Sequence, residues 1–197
     1  AYQDNYGSGG GDLPYQSAYV YDVCVNNETV TQNILLEPFE ISGSVSGHVQ
    51  DDNGEAVPNA TVYISGYLTE TSPDSMNYNN IHWSFETLTD SSGNYIIDLP
   101  VGEYWNFGAS KNGYQSDWHY DMIYIDNSHH TVDFTLVEYS SSISGSITDA
   151  ETGSNVEQVY LRIDQYQNNN WNYFTGQWEH DGNYQFNLVD GCYRIIV

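Results

Sequence analysis

The chain has 197 residues, 27 Asp and Glu against 3 Lys and Arg, a formal charge of −24 and 39% hydrophobic residues. That length suits one or two small domains, and the charge excludes nucleic-acid binding, since Lys111, Arg162 and Arg194 lie far apart in sequence and form no evident patch. No run of about 18 apolar residues occurs, so no segment is expected to cross a membrane as a helix.

Charged residues make up only 15% of the chain, and 19 Tyr with abundant Asn, Ser, Thr and Gly fill the polar positions. Aromatic and β-branched residues at the expense of Leu, Ala and Lys favour strands over helices. The first residue is Ala1 rather than Met, which points to a processed mature form. An extracellular all-β protein is the expected class.

Residues 1–13, AYQDNYGSGGGDL, show no periodicity and are expected to form a flexible Gly-rich tail. Short alternating runs follow, among them Thr61-Val62-Tyr63-Ile64, Ile81-His82-Trp83-Ser84-Phe85, Tyr95-Ile96-Ile97-Asp98-Leu99 and Thr131-Val132-Asp133-Phe134-Thr135-Leu136. Turn residues such as Asp-Asn-Gly and Ser-Ser-Gly-Asn separate them, the pattern of a β-sandwich.

The chain also repeats itself. Gly93-Asn94-Tyr95, Leu99, Gly102 and Tyr104 return as Gly182-Asn183-Tyr184, Leu188, Gly191 and Tyr193 at a constant spacing of 89. Gly47-His48-Val49 and Val62-Tyr63-Ile64 return as Gly145-Ser146-Ile147 and Leu161-Arg162-Ile163, 98 to 99 residues on. Two copies of one domain are implied.

The ordered set Gly47-x-Val49, Asp52-Asn53-Gly54, Val57-Pro58-x-Ala60-x-Val62, Thr89-Asp90-x-x-Gly93-x-Tyr95, Leu99-Pro100-x-Gly102-x-Tyr104 and Gly113-Tyr114 resembles the carboxypeptidase regulatory-like domain. The resemblance covers residues 44–137 well and 142–197 in part, and the second copy departs from it at Glu157-Gln158-Val159. It implies tandem transthyretin-like or Ig-like β-sandwiches on an extracellular protein, and brings no catalytic residues with it.

The first copy continues past Tyr104 to a final hairpin, Met122–Ile125 and Thr131–Leu136, whereas the second reaches Val197 soon after Tyr193 and is incomplete. The N-terminal segment reads as the missing piece. Tyr15-Gln16-Ser17 and Tyr21-Asp22 repeat Tyr114-Gln115-Ser116 and Tyr120-Asp121 at a spacing of 99, and Thr29-Val30 repeats Thr131-Val132 at 102. The expected organisation is a tail at 1–13, donor strands at 14–38, a complete sandwich at 39–139 and an acceptor domain at 140–197. In a tandem array this hairpin sits at the far end from residues 140–197, so the natural recipient is another copy of the chain, by β-augmentation. Donor and acceptor surfaces differ, so the contact is heterologous and repeats into an open, helical, pilus-like polymer.

Tyr21, Val23, Val25, Val30, Ile34 and Leu36 are the residues expected to fill the acceptor groove. The only cysteines, Cys24 and Cys192, fall one in the donor and one in the acceptor, and an intersubunit disulfide is expected in an oxidising setting. The other pairings are two free thiols or an intrachain bridge. Asn27-Glu28-Thr29 and Asn59-Ala60-Thr61 are N-glycosylation sequons, which makes Asn27 and Asn59 the candidate positions for covalent glycans.

Asp51-Asp52-Asn53-Gly54-Glu55 clusters oxygens as a calcium loop does, without that motif's spacing, and is expected to be a turn. His129-His130 is expected to cap a hairpin, with no third ligand for zinc. No cofactor is expected beyond the calcium alternative. No nucleophile, zinc-hydrolase or phosphate-loop motif is present, so the chain is not expected to be an enzyme. Trp105, Trp118, Trp171, Tyr173 and Trp178 support a second reading, a carbohydrate-binding or adhesin module, since aromatic platforms stack on sugar rings. A third reading is an accessory domain of a larger secreted enzyme. The filament subunit, with another copy of itself as partner and neither nucleic acid nor membrane, is the leading expectation.

Overall fold

The computed structural model describes residues 15–16, 20, 23–27, 29–69 and 81–197. The expected tail at 1–13 and the donor residue Tyr21 lie outside them. The described residues contain strands and no helix, and the chain divides into two compact units, residues 1–111 with 116–136 and residues 112–115 with 137–197.

In the first unit, strand β1 (Ile41–Asp51) pairs antiparallel with β4 (Asn94–Pro100). Period-two alternation sends Val45 and Val49 of β1, and Tyr95, Ile97 and Leu99 of β4, into the core. The second sheet centres on β2 (Thr61–Leu68), flanked by β3 (Ile81–Leu88) and β5 (Gly102–Ser110), and buries Val62, Ile64, Leu68, Tyr104, Phe107 and Ala109.

Further strands close both sheets. On the free side of β5, β7 (Asp117–His119) and β8 (Ile123–Ile125) pair antiparallel. On the free side of β1, β9 (His129–Thr131) and β10 (Phe134–Glu138) pair parallel. The expected final hairpin is therefore not a hairpin: its two arms go to opposite sheets. Its second arm is also broken at Val132-Asp133, where the Asp133 carboxylate takes the His48 N–H at 2.8 Å in place of a ladder bond. His129 and His130 lie within β9 and cap nothing, since both ring nitrogens of His129 bond serine hydroxyls of β1, Ser44 at 2.8 Å and Ser46 at 3.0 Å. The closing strands bury Ile125, Phe134 and Leu136 completely, each contributing about 1.5–3 kcal/mol.

In the second unit, β6 (Tyr114–Gln115) pairs with the end of β10. The unit is otherwise built from β11 (Ser141–Ser146), β12 (Val159–Gln167), β13 (Asn170–Glu179), β14 (Asn183–Leu188) and β15 (Tyr193–Ile196). β11 pairs with β14, and β12 lies between β13 and β15. Leu161 and Ile163 from one sheet pack on Phe186 and Leu188 from the other.

The two units repeat each other in detail. Tyr104 donates its hydroxyl to the Pro100 carbonyl at 3.0 Å, and Tyr193 donates to Val189 at 2.8 Å. Gly93 and Gly182 hold φ of +77° and +75° in matching turns, which only glycine adopts freely. Beside them Asp90 accepts the N–H groups of Asn94 and Ser92, and Asp181 that of Asn183. Strands β11 to β15 are thus the counterparts of β1 to β5.

Candidate assembly site

The second unit has no counterpart, among the described residues, to the strands that close the first. β15 pairs with β12 alone and β11 with β14 alone, leaving one edge of each without a neighbour. Burial follows the pairing. Phe107, opposite Ile64 in the first unit, is 1% exposed, whereas Ile195, opposite Ile163 in the second, is 37% exposed. Val45 and Val49 are fully buried, yet their counterparts Ile143 and Ile147 are only partly so, as are Tyr184 and Tyr193 where Tyr95 and Tyr104 are enclosed. Open strand edges beside incompletely covered apolar side chains leave backbone groups available for pairing.

One contact makes the difference specific. In the first unit the Val132 backbone crosses β1 so closely that a Cβ on Gly47 would stand 1.9 Å from the Val132 carbonyl oxygen. That same oxygen receives the Tyr95 hydroxyl at 2.6 Å. The second unit keeps both partners of this arrangement, Gly145 and Tyr184. There the three atoms nearest a Cβ on Gly145 all belong to the Tyr184 side chain, the hydroxyl standing at 2.6 Å. The Tyr184 hydroxyl has no hydrogen-bond partner among the described residues.

The sequence-selected donor residues are placed as follows. Val23, Val25, Val30, Ile34 and Leu36 are all exposed and belong to no strand. The segment's ends meet, Tyr15 bridging Pro38 and the Gln16 N–H donating to the Glu37 carbonyl at 2.7 Å. Cys24 and Cys192 are free and exposed, with the Cys192 carbonyl accepting the Tyr166 N–H at 2.9 Å. Asn27 and Asn59 are exposed at φ of 56° and 55°, a conformation Asn tolerates in turns.

The acidic loop is a turn. Asp51 Oδ1 accepts the N–H groups of Asn53 (2.9 Å) and Glu55 (2.8 Å), and the Glu55 bond above all holds its carboxyl below the ordinary range. Asp149 makes the matching turn in the second unit through the N–H groups of Glu151 and Thr152. No group of three or more metal-ligating side chains occurs among the described residues.

Two of the three basic residues, far apart in sequence, come together in the structure and correct the expectation that they form no patch. Arg162 on β12 and Arg194 on β15 converge on Asp164, whose side chain is fully buried. Arg162 Nε donates to Oδ1 at 2.5 Å, and Arg194 donates to Oδ2 from Nε at 2.9 Å and from one Nη at 2.6 Å. Burial pushes the Asp164 carboxyl up, but these bonds and charges outweigh it and hold the group below its usual range. The available signal was the β12–β15 register, which places Asp164 opposite Arg194.

Residues 44–137 match the family of the carboxypeptidase regulatory-like domain. No curated protein matches the chain. Among solved structures, a streptococcal ancillary pilin is 12% identical, with 82% of this chain and 55% of that one covered at a TM-score of 0.37. The Bacillus anthracis TIE protein is 16% identical, with 82% and 30% covered at 0.36. The 3-chlorocatechol 1,2-dioxygenase of Rhodococcus opacus 1CP is 13% identical, with 50% and 60% covered at 0.34. The chain spans between 30% and 60% of the length of each of these, and overlaps this loose carry no weight on function.

Proposed function

We propose that the chain, whose residues 44–137 match the carboxypeptidase regulatory-like domain, is a structural subunit of an extracellular filament, assembled head to tail by strand donation. In this reading residues 14–38 of one copy complete the second unit of the next. Val23 and Val25, with Cys24 between them, lie along β15, and Val30, Ile34 and Leu36 lie along β11. Cys24 then bonds Cys192 of the neighbour and makes the polymer covalent.

The pairing of Gly145 with Tyr184 is the observation that supports this most. Glycine at Gly47 is required because a backbone carbonyl occupies the space of its side chain, and the second unit keeps the glycine and the tyrosine donor without, among the described residues, a strand across them. A strand from elsewhere restores both contacts, and the incompletely buried Ile143, Ile147 and Ile195 gain the cover their counterparts have. The segment at 14–38 carries the repeat of that strand, and Val23, Val25, Val30, Ile34 and Leu36 within it are exposed.

Negative-stain microscopy and pelleting of the purified chain at neutral pH test the reading. Filaments that give a multimer ladder on non-reducing gels are expected. A monodisperse monomer across a range of salt concentrations overturns it.

A further inference from the structure

The outward face of the β13–β12–β15 sheet is unlike the rest of this acidic chain. It carries two of the chain's three Lys and Arg side chains, framed by the exposed rings of Tyr160, Tyr166, Trp171, Tyr173 and Trp178. The Arg162 guanidinium lies 5.5 Å from the Tyr173 ring centre and that of Arg194 5.0 Å from Trp171. Tyr160 packs on Trp178 at 5.4 Å and Tyr166 on Trp171 at 5.1 Å. One buried carboxylate, Asp164, holds both guanidiniums, so the cluster keeps one net positive charge. Both Nη groups of Arg162 and the remaining Nη of Arg194 have no acceptor among the described residues, and each arginine side chain is over two-fifths exposed.

We propose that this face is a binding site for a carboxylated sugar, with the pyranose ring on the aromatic platform and its carboxylate on the free guanidinium donors of Arg162 and Arg194. The buried Asp164 fixes the positions of the two arginines before a ligand arrives, which lowers the ordering cost of binding. Charge-assisted bonds from a guanidinium fork suit a carboxylate. The platform is the face of a sheet, where backbone N–H and C=O groups point sideways toward neighbouring strands and not out at a ligand lying on the side chains. A peptide laid across it would lose water from its own N–H and C=O groups without replacement. A sugar loses less, because its flat C–H face stacks on the rings while its hydroxyls stay wet at the rim. A carboxylate sitting on Arg162 and Arg194 feels the local charge, whereas a long polyanion meets the repulsion of a chain carrying −24. The site therefore selects an isolated acidic sugar.

Tryptophan fluorescence titration of the full chain with methyl β-glucuronide, methyl β-glucoside and tetraglutamate tests this. Saturable quenching is expected with the glucuronide at least about tenfold tighter than the glucoside, the size of one strong charge-assisted contact. Arg162→Gln leaves Asp164 bonded to Arg194, and is expected to erase the preference with the circular dichroism spectrum unchanged. Trp178→Ala is expected to weaken both sugars while keeping their ratio. No saturable quenching, equal affinity for the two sugars, or an Arg162→Gln protein that retains the preference overturns the proposal. Tetraglutamate binding more tightly than the glucuronide also overturns it, and assigns the face to an acidic protein segment.

Discussion

Glu103 and Tyr124 stand directly opposite each other across the antiparallel β5–β8 pair, and both side chains are exposed. The spacing of 89 carries Glu103 to Cys192. Setting Val23-Cys24-Val25-Asn26-Asn27 on Ile123-Tyr124-Ile125-Asp126-Asn127 superposes two asparagines of positive φ, 56° and 86°, and carries Tyr124 to Cys24. In the proposed hybrid domain the two cysteines therefore face each other. Facing residues of an antiparallel pair have Cα atoms about 4.5–5.5 Å apart, within reach of a disulfide.

Because that position faces solvent, the bridge is expected to be reducible in the intact polymer. Dithiothreitol added to filaments should collapse the multimer ladder on a gel while microscopy still shows filaments, since buried strands continue to hold them. Filaments that disperse on reduction alone would mean that sulfur, and not strand donation, joins the subunits. Cys24→Ser should behave as the reduced filament does.

The two matched glycines should respond oppositely to a methyl group. Gly47→Ala drives a Cβ into the Val132 backbone and should unfold the first unit, seen as an early loss of its thermal transition. The atoms nearest a methyl in Gly145→Ala are the end of the Tyr184 side chain, which can turn aside, so the single chain should melt nearly as the parent while filament yield falls at least about tenfold. A Gly145→Ala protein that polymerises normally would remove the donated strand from that position.

How much of this was legible in the sequence depends on what kind of signal each feature leaves. Alternating residues such as Tyr95, Ile97 and Leu99, and turns such as Asp90 to Gly93, follow from local pattern and were read directly. The paths of β8 and β10 were not, because which sheet a strand joins depends on partners far along the chain: Ile125 meets Gly102, and Phe134 meets Val49. The Arg162–Asp164–Arg194 cluster was missed because 30 residues separate Asp164 from Arg194 and only the strand register brings them together. His129 was misassigned to a turn since its serine partners, Ser44 and Ser46, lie on β1, more than 80 residues away.

Charging the donor should abolish assembly. Ile34 corresponds to the fully buried Leu136 on the spacing of 102 that carries Thr29-Val30 to Thr131-Val132, and Val23 corresponds to Ile123 of β8 on the spacing of 100 used above. Val23→Asp or Ile34→Asp forfeits about 1.5–3 kcal/mol of burial and adds the cost of desolvating a carboxylate. Filaments should be absent in sedimentation, with the circular dichroism of the first unit retained. Normal yield from both variants would contradict the assigned register.

Acid should act on the units through their turn and core aspartates. The Asn94 and Ser92 N–H groups hold Asp90 below its ordinary range, the Thr152 N–H and hydroxyl hold Asp149, and the Glu55 N–H holds Asp51. Arginine bonds keep Asp164 low despite burial. Carboxyl groups whose values are depressed on folding contribute stability that is complete above the ordinary carboxylate value of about 3.9 and is lost as pH falls through the lower folded values. Thermal melts should therefore be flat from neutral pH to about pH 5 and fall steeply below pH 4. A melting temperature that rises below pH 4 would contradict this.

Salt should speed assembly, because copies carrying −24 repel one another across a Debye length of about 30 Å at 0.01 M and about 10 Å at 0.1 M. Light scattering during polymerisation should show faster growth as sodium chloride is raised over that range. A slower rate would point to an attractive charge contact at the joint.

The central claim is that the strand comes from another copy. Filaments grown from an equal mixture of isotopically light and heavy chains, digested without reductant and analysed by mass spectrometry, give the most direct test. The account predicts linked Cys24–Cys192 peptides in which one half is light and the other heavy. Linked peptides of uniform label would show that each chain closes on itself, and the absence of any linked pair would contradict the joint as drawn.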